Sequence, residues 1–477
     1  QLKLETAPQA THTRHPALPF SERRLFLMAL DLLALHVSLL AVLRLRPPVQ
    51  PAGLQPGWFL LLALLWLALA RLFEAYDLRI AGRFSTAAPA VARAGLLTAI
   101  IYQFIPFLTP ALPRSRLALV AFPLLAAGLL VAGRGLYTLV LGQRLRRRAL
   151  IVGAGWAGRT VAEALQTQGD SAYQVVGFVD DDPKKLGRPI RLASGDGHAP
   201  LAVLGGRYDL PALIRRFRVS SLILAITNDA SGPLLQTLLD CLELGVDIVP
   251  MPVLYEQLTG RVPVMHIGAR WDVALPIHHP GTGNLWPAAK RLLDITLATA
   301  GLLAALPLLP LIALAIRLDS PGPILYTQQR VGKGGRLFKL YKFRSMVPNA
   351  EDGRALWAQE NDARATRVGR LLRRTHLDEL PQLWNILIGD MSAVGPRPER
   401  PEHVEDLVRR LPFYRIRHAV NPGAAGWALI KQGYGASVED ALLKLQYDLY
   451  YIKHQSLWLD LAILLRTALL MLTLNGR

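Results

Sequence analysis

The residues best suited to chemistry lie in one run, Arg373-Arg374-Thr375-His376-Leu377-Asp378-Glu379-Leu380-Pro381-Gln382-Leu383-Trp384-Asn385. Gly389-Asp390-Met391-Ser392 and then Gly395-Pro396-Arg397-Pro398 follow it. Cations beside carboxylates suit a phosphate-handling site, because the cations bind the anion while a carboxylate attacks it or holds a metal. Asp378 and Glu379 also have a structural reading. Acidic residues ahead of Pro381 suit the first turn of a helix, with Thr375 as its cap. The two readings are compatible, since a helix N-terminus itself favours phosphate.

Upstream, Arg330, Lys333, Arg336, Lys339, Lys342 and Arg344 occur without one acidic residue among them. Such a strip is attracted to anionic lipid, the role expected of Lys333 and Arg336. Lys342 and Arg344 are expected instead to hold substrate phosphates. No nucleic-acid motif or stacking platform accompanies these charges, which argues against an RNA or DNA partner.

The chain that must position these groups has 477 residues, about three domains' worth, with 52% hydrophobic and 19% charged residues and a net charge of +19. That balance places part of it in lipid, with an anionic membrane surface and anionic substrates as partners. A single cysteine, Cys241, excludes a disulfide framework. The first twenty residues are polar and contain proline, unlike a cleavable signal. Apolar segments at 25–43, 57–73, 94–112 and 117–140 are near the length of a membrane span. Basic residues concentrate in the N-terminal arm, in 71–93 and in 144–148, which puts both ends of this four-helix unit in the cytosol. Asp31, His36 and Arg134 fall within it and read as interhelical hydrogen bonding or as a proton path.

Strand-like runs at 149–152, 174–179, 221–227 and 246–250 alternate with helical patterns at 159–168, 210–217 and 234–244. This predicts a Rossmann-like parallel sheet. Gly153-Ala154-Gly155-Trp156-Ala157-Gly158 follows its first strand, and Asp180 comes 22 residues after Gly158. Gly153, Gly155, Gly158 and Asp180 are thus candidates for binding a nucleotide, or the glycines serve only the turn and helix packing.

The third region opens at Lys290 and Arg291 and continues as an apolar helix to Ile316, interrupted by Pro307 and Pro310. Basic flanks on both sides and two mid-helix prolines predict a re-entrant hairpin that enters and leaves one leaflet. The segment 457–474 carries Asp460 and Arg466 and is expected to lie at the interface or pack on the hairpin.

The run from Arg373 to Asn385, the Gly395-Pro396-Arg397-Pro398 motif and Lys342-Phe343-Arg344-Ser345-Met346 together resemble the bacterial sugar transferases over residues 288–474. These are the monotopic polyprenyl-phosphate hexose-1-phosphate transferases, or phosphoglycosyl transferases. The resemblance implies that Asp378 attacks the β-phosphorus of a UDP-sugar. UMP leaves, and the phosphate of undecaprenyl phosphate then attacks the phosphoglycosyl-aspartate. It further implies that Glu379 assists Asp378 or shares Mg²⁺ with it, and that Lys342, Arg373 and Asp448 line the site. Arg397, between two prolines that include Pro398, would contact the nucleotide. Leu306 stands where many relatives carry serine before the helix-breaking proline. Larger relatives carry the same N-terminal extension, which extends the expectation to a homo-oligomer.

The expected organisation is a membrane α plus α/β protein of the bacterial inner (cytoplasmic) membrane. It comprises a cytosolic arm (1–22), four transmembrane helices (23–145), a Rossmann-like cytosolic domain (146–270) and a linker (271–287). A re-entrant membrane helix (288–318), a mostly α cytosolic catalytic domain (319–456) and an interfacial helix (457–477) complete it. The expected role is initiation of exopolysaccharide, capsule or O-antigen synthesis. A membrane-bound nucleotide-sugar dehydratase or epimerase would share the N-terminal architecture, but no tyrosine here has a lysine four residues later. A non-catalytic export scaffold is the other rival, separated from an enzyme by replacing Asp378 alone.

Overall fold

Long apolar segments satisfy their backbone polar groups internally as helices, and four open the chain: α1 (Phe20–Leu45), α2 (Pro56–Leu72), α3 (Phe84–Gln103) and α4 (Arg116–Leu136). The structure is a computed structural model that describes residues 20–45, 55–76, 84–110, 116–141, 146–167, 173–190, 192, 200–226, 232–266, 285–347, 364–411, 413–432 and 437–472. Most of the expected arm, the connections at 46–54, 77–83 and 111–115, Arg144, and positions 271–284 of the expected linker lie outside these residues. Among the described residues, three helices are long and apolar enough to cross a membrane, while α2 has 17 residues. Helix α3 starts and ends about ten residues earlier than expected, and its early end fits Pro106, which disfavours helix in the residue before it.

Small residues of α3 (Ala94, Gly95, Thr98, Ala99) are buried in this unit, with Leu130 of α4 against Gly95. Asp31 and Arg134 form a buried ion pair at 2.8 Å, and Arg134 Nη2 also donates to the carbonyl of Ala75 beyond α2. His36 Nε2 hydrogen-bonds the carbonyl of Phe59. All three polar residues therefore join helix to helix, the interhelical alternative raised above.

The sheet that follows contains β1 (Arg147–Val152), β2 (Tyr173–Val179), β3 (Pro189–Ile190), β4 (Leu201–Gly205), β5 (Ser221–Leu224) and β6 (Asp247–Pro250). Its order is β3-β4-β2-β1-β5-β6, parallel except for the edge strand β3. Helices α5 (Trp156–Thr167), α6 (Leu210–Phe217) and α7 (Gly232–Glu243) connect it. The strand order reverses between β1 and β5, and the glycine-rich turn sits there, with Gly153 at φ 106°. A Cβ on Gly158 would overlap the Gly153 carbonyl oxygen, so this glycine is required for α5 to start so close to β1. A Cβ on Gly155 would meet nothing within 4 Å.

Asp180 lies at the end of β2, but its carboxylate turns back onto the glycine-rich turn. Oδ2 accepts from Ala154 N (2.8 Å) and Lys185 Nζ (3.0 Å), and Oδ1 accepts from Asp182 N (3.0 Å). Burial works to raise this carboxyl, but these hydrogen bonds outweigh it and hold its pKa below the usual range. Asp180 thus braces the glycine-rich turn.

The second unit begins at Tyr255, inside α8 (Met251–Thr259), rather than near residue 270. Val262 and Val264 are almost fully buried in its main core with Leu445, Tyr451 and Ile463, which is why the boundary moves back. The unit continues as α9 (Leu285–Ala305), α10 (Leu308–Asp319), a hairpin of β7 (Leu325–Val331) and β8 (Leu337–Phe343), then α11 (Arg367–Arg374) and α12 (Gln382–Ile388). Strand β9 (Ser392–Val394) pairs in parallel with β10 (Gly423–Ala425), and α13 (Pro401–Arg410) lies between them in sequence. Helices α14 (Trp427–Gln432), α15 (Val438–Lys453) and α16 (Leu457–Leu472) complete it.

Helices α9 and α10 are bent by 62° at Leu306-Pro307. Pro310 does not contribute to the break. It stands in the first turn of α10, where a helix has no use for an N–H donor.

Replacing Val262 and Val264 by alanine together should destabilise the second unit by about 3 kcal/mol, four methyl groups at roughly 0.8 kcal/mol each. A lowered thermal midpoint for this unit checks it. Asp180→Ala should cost the sheet domain about 2 kcal/mol through the stranded Ala154 N–H and Lys185, read by denaturant unfolding.

Candidate active site

Three segments of the second unit deliver the motif residues to one place. Lys342 comes from β8, Asp378 and Glu379 from a 3₁₀ turn (Leu377–Glu379), and Arg397 from the loop after β9. The turn is not the start of a helix capped by Thr375. Thr375 instead ends α11, donating its hydroxyl back to the Leu371 carbonyl. His376 then takes the left-handed region at φ 57°, a costly conformation for a residue with a side chain, and so redirects the chain into the turn.

Asn385 fixes the strand against this turn. It is fully buried, its Oδ1 accepts from Tyr341 N (3.1 Å) and its Nδ2 donates to the Lys339 carbonyl (2.7 Å). One side chain therefore mimics a neighbouring strand and locks β8 to α12. Lys342 Nζ then reaches Glu379 Oε1 at 2.7 Å, and Arg397 Nη2 reaches the same oxygen at 3.3 Å.

The two carboxyls are driven apart. Burial pushes Asp378 above the ordinary aspartate value; the charges of Lys342 and Arg373 oppose this and Glu379 adds to it. Burial would also raise Glu379, but Lys342 and Arg397 outweigh it and hold Glu379 well below the usual carboxylate range. Glu379 is therefore the fixed anion and Asp378 the more basic member, the pattern of a pair with divided roles. Among the described residues, Nη1 of Arg373 is buried without a hydrogen-bond partner, a donor open to an anion.

Among the described residues, no group of three or more His, Cys, Asp or Glu converges. A pair of carboxylates fits Mg²⁺ when substrate phosphates supply further oxygens. Asp378 and Glu379 are the residues that would hold it.

Several expected site residues are employed differently. Arg344 is buried and donates to the carbonyls of Ser320 and Pro321 and to the Ser320 hydroxyl, closing the end of α10 rather than facing the dyad. Asp448, on α15, is buried in an ion pair with Arg417 at 2.8 Å. Pro398 offers its carbonyl to Arg330 Nη1. Lys290 and Arg291, expected to mark a membrane flank, bind inside the unit. Lys290 Nζ pairs with Asp460 at 2.6 Å, and Arg291 donates to the carbonyls of Ile386 and Leu387 at the end of α12. Asp460 is fully buried, so that α16 is held to α9 by this ion pair and packs through Ile463 into the main core. No motif singled out Arg417 or Asp294, which accepts from Ser392 Oγ and Ala393 N. Asn385 was visible inside the motif run but had no role there.

A sequence profile described as bacterial sugar transferase matches residues 285–474, and one described as a CoA-binding domain matches residues 71–252. A UDP-glucose:undecaprenyl-phosphate glucose-1-phosphate transferase from Caulobacter vibrioides is 46% identical over 191 residues, covering 39% of this chain and 71% of that protein. The chain belongs to the bacterial sugar transferase family. Two longer relatives align less completely with this bacterial sugar transferase. A UDP-N-acetylgalactosamine-undecaprenyl-phosphate N-acetylgalactosaminephosphotransferase from Aeromonas hydrophila is 41% identical over 52% of this chain and 57% of its own length. An undecaprenyl-phosphate glucose phosphotransferase from Komagataeibacter xylinus is 34% identical over 70% of this chain and 60% of its own length. The match thus spans less than two thirds of either longer relative. The dyad, Lys342, Arg373 and Arg397 all lie within the transferase segment.

The electrostatics of this transferase dyad predict shifts of opposite sign. Lys342→Met removes the main charge that favours ionised Asp378, so its titration should move to higher pH. Glu379→Gln removes a like charge and should move it to lower pH. Carbon-13 NMR of labelled aspartate carboxyls reads both, and movement in the same direction would refute the division of roles.

Proposed function

We propose that this transferase moves a sugar 1-phosphate from a UDP-sugar to undecaprenyl phosphate, through a covalent phosphoglycosyl-aspartate on Asp378 and with release of UMP. The observation that carries this reading is the split dyad: a buried, basic Asp378 beside a Glu379 held anionic by Lys342 and Arg397. The printed names of the relatives supply the chemical class of donor and acceptor.

In the first step an Asp378 carboxylate oxygen forms a bond to the β-phosphorus. The bond from that phosphorus to the bridging oxygen breaks, and the oxygen leaves with UMP. In the second step a phosphate oxygen of undecaprenyl phosphate attacks the same phosphorus. The acyl phosphate bond breaks, Asp378 is restored as a carboxylate, and undecaprenyl-diphosphate-sugar departs. No net proton is needed in either step. Splitting the transfer avoids bringing two bulky anions together, and a raised basicity makes Asp378 the better nucleophile of the pair.

Lys342 and Arg373 neutralise the non-bridging oxygens that gain charge, and Arg397 serves the nucleotide side. Mg²⁺ held by the dyad would add charge neutralisation across the diphosphate. The bent pair α9–α10 acts as a re-entrant anchor in one leaflet, exposing Leu303, Leu306, Leu311 and Leu314 to lipid. That topology keeps the catalytic unit on the cytosolic face of the bacterial cytoplasmic membrane. The product would begin an exopolysaccharide, capsule or O-antigen unit.

Full-length protein incubated with Mg²⁺, undecaprenyl phosphate and a panel of UDP-sugars should release UMP with a preferred sugar. Asp378→Asn should lower that rate by at least about 10³-fold. Release of UDP instead would show a glycosidic bond being made directly and would overturn the role of Asp378 as a phosphorus nucleophile.

A further inference from the structure

The loop that carries Arg397 has few hydrogen-bond donors of its own, because Pro396 and Pro398 lack N–H groups. Its carbonyls are all tied down. Pro396 O accepts from Gly423 N at 2.9 Å, Arg397 O from Arg417 Nη2 at 3.1 Å, Pro398 O from Arg330 Nη1 at 3.0 Å, and Glu399 O from Val331 N at 3.0 Å. These donors come from three separate elements: β10, the 3₁₀ turn Tyr414–Ala419, and β7. Four consecutive anchored carbonyls leave the backbone around Arg397 almost no freedom to rotate.

Arg417 is the most heavily constrained of these donors. It is buried, and four of its five N–H bonds are engaged: two with Asp448 Oδ2, one with the Tyr414 hydroxyl and one with Arg397 O. Its guanidinium also lies 5.0 Å from the Tyr414 ring centroid. Phe413, the residue before that turn, adopts φ 63°, so the turn is held in a strained entry. Burying an ion pair costs more than it returns unless its hydrogen bonds are completed. Here the completing bond is the one to Arg397 O. Arg397 itself has a side chain 35% exposed, its guanidinium 3.3 Å from Glu379, while its backbone stays fixed.

We infer that Arg417, with Asp448 and Tyr414 behind it, and Arg330 on the opposite side are positioning residues that preorganise Arg397 for the diphosphate of a nucleotide-sugar donor. Donor affinity is then set from α15 and β7 as well as from the Pro-Arg-Pro motif. The inference rests on the donor class given under the proposed function. It separates donor from acceptor recognition, because the clamp acts through Arg397 alone.

A double-mutant cycle on full-length protein tests this, with UDP affinity measured by calorimetry, which needs no turnover. Arg417→Lys keeps the charge but loses the forked geometry and should weaken UDP about tenfold or more. The KM for undecaprenyl phosphate should stay within about twofold. In an Arg397→Ala background, Arg417→Lys should weaken UDP by less than about twofold further. Full additivity, or an acceptor KM rising in step with the donor KM, would overturn the inference. If Arg417→Lys lowers the thermal midpoint so far that the protein does not fold, the same cycle with Arg330→Lys decides. Failure of the wild type to release UMP from any UDP-sugar would sink the proposed function instead, while the UDP-binding cycle still judges the clamp.

Discussion

Glu379 Oε1 is the point on which the second unit converges. Lys342 reaches it from a β-hairpin and Arg397 from a proline-bounded loop, while Glu379 itself sits on a 3₁₀ turn. Two cations on one oxygen keep the carboxylate ionised despite desolvation. Burial is what makes the neighbouring Asp378 more basic, with Lys342 and Arg373 opposing it and the charge of Glu379 adding to it. Scaffold and reactivity therefore share one set of charges.

A second layer of polar contacts supports that junction from α9. Lys290 pairs with Asp460, Arg291 closes the end of α12, and Asp294 takes the hydroxyl and backbone N–H groups of β9. The Tyr451 hydroxyl shares its one proton between Asp460 Oδ1 (2.8 Å) and the Val394 carbonyl (3.0 Å), so that helix, strand and C-terminal helix meet in one polar network. The bent pair α9–α10 is thus attached to the rest of its unit by directional bonds in the first turns of α9, and its exposed leucines are left for other contacts.

Much of this was legible in the chain. The parallel sheet followed from runs of β-branched residues alternating with helical patterns, and helix 210–217 falls where the periodicity put it. Strand β4 escaped because Leu201–Gly205 is short and follows a polar stretch without a preceding helical signal. The dyad, Lys342 and Arg397 were singled out by the motifs that carry the family resemblance, and the structure brings them to one oxygen. Arg344, Lys290 and Arg291 were assigned from charge alone, and charge does not reveal which carbonyls a guanidinium will meet after folding. Arg417 and Asp448 lie 31 residues apart, and nothing in their spacing announces a pair. Pro310 shows the limit of composition in another way: a proline breaks a helix only where an N–H was needed.

The bond between Lys290 and Asp460 joins residues 170 positions apart. During synthesis the head of α9 must therefore emerge long before its counter-charge exists. A growing chain presents Lys290 and Arg291 as bare cations leading an apolar helix, the condition under which positive charge resists translocation. Before α16 arrives the acid in reach of Lys290 is Asp294 on the same helix, at 4.0 Å, and Asp460 then draws the lysine into the fold at 2.6 Å. One lysine is thus held first within its own helix and later becomes the latch that closes the finished domain.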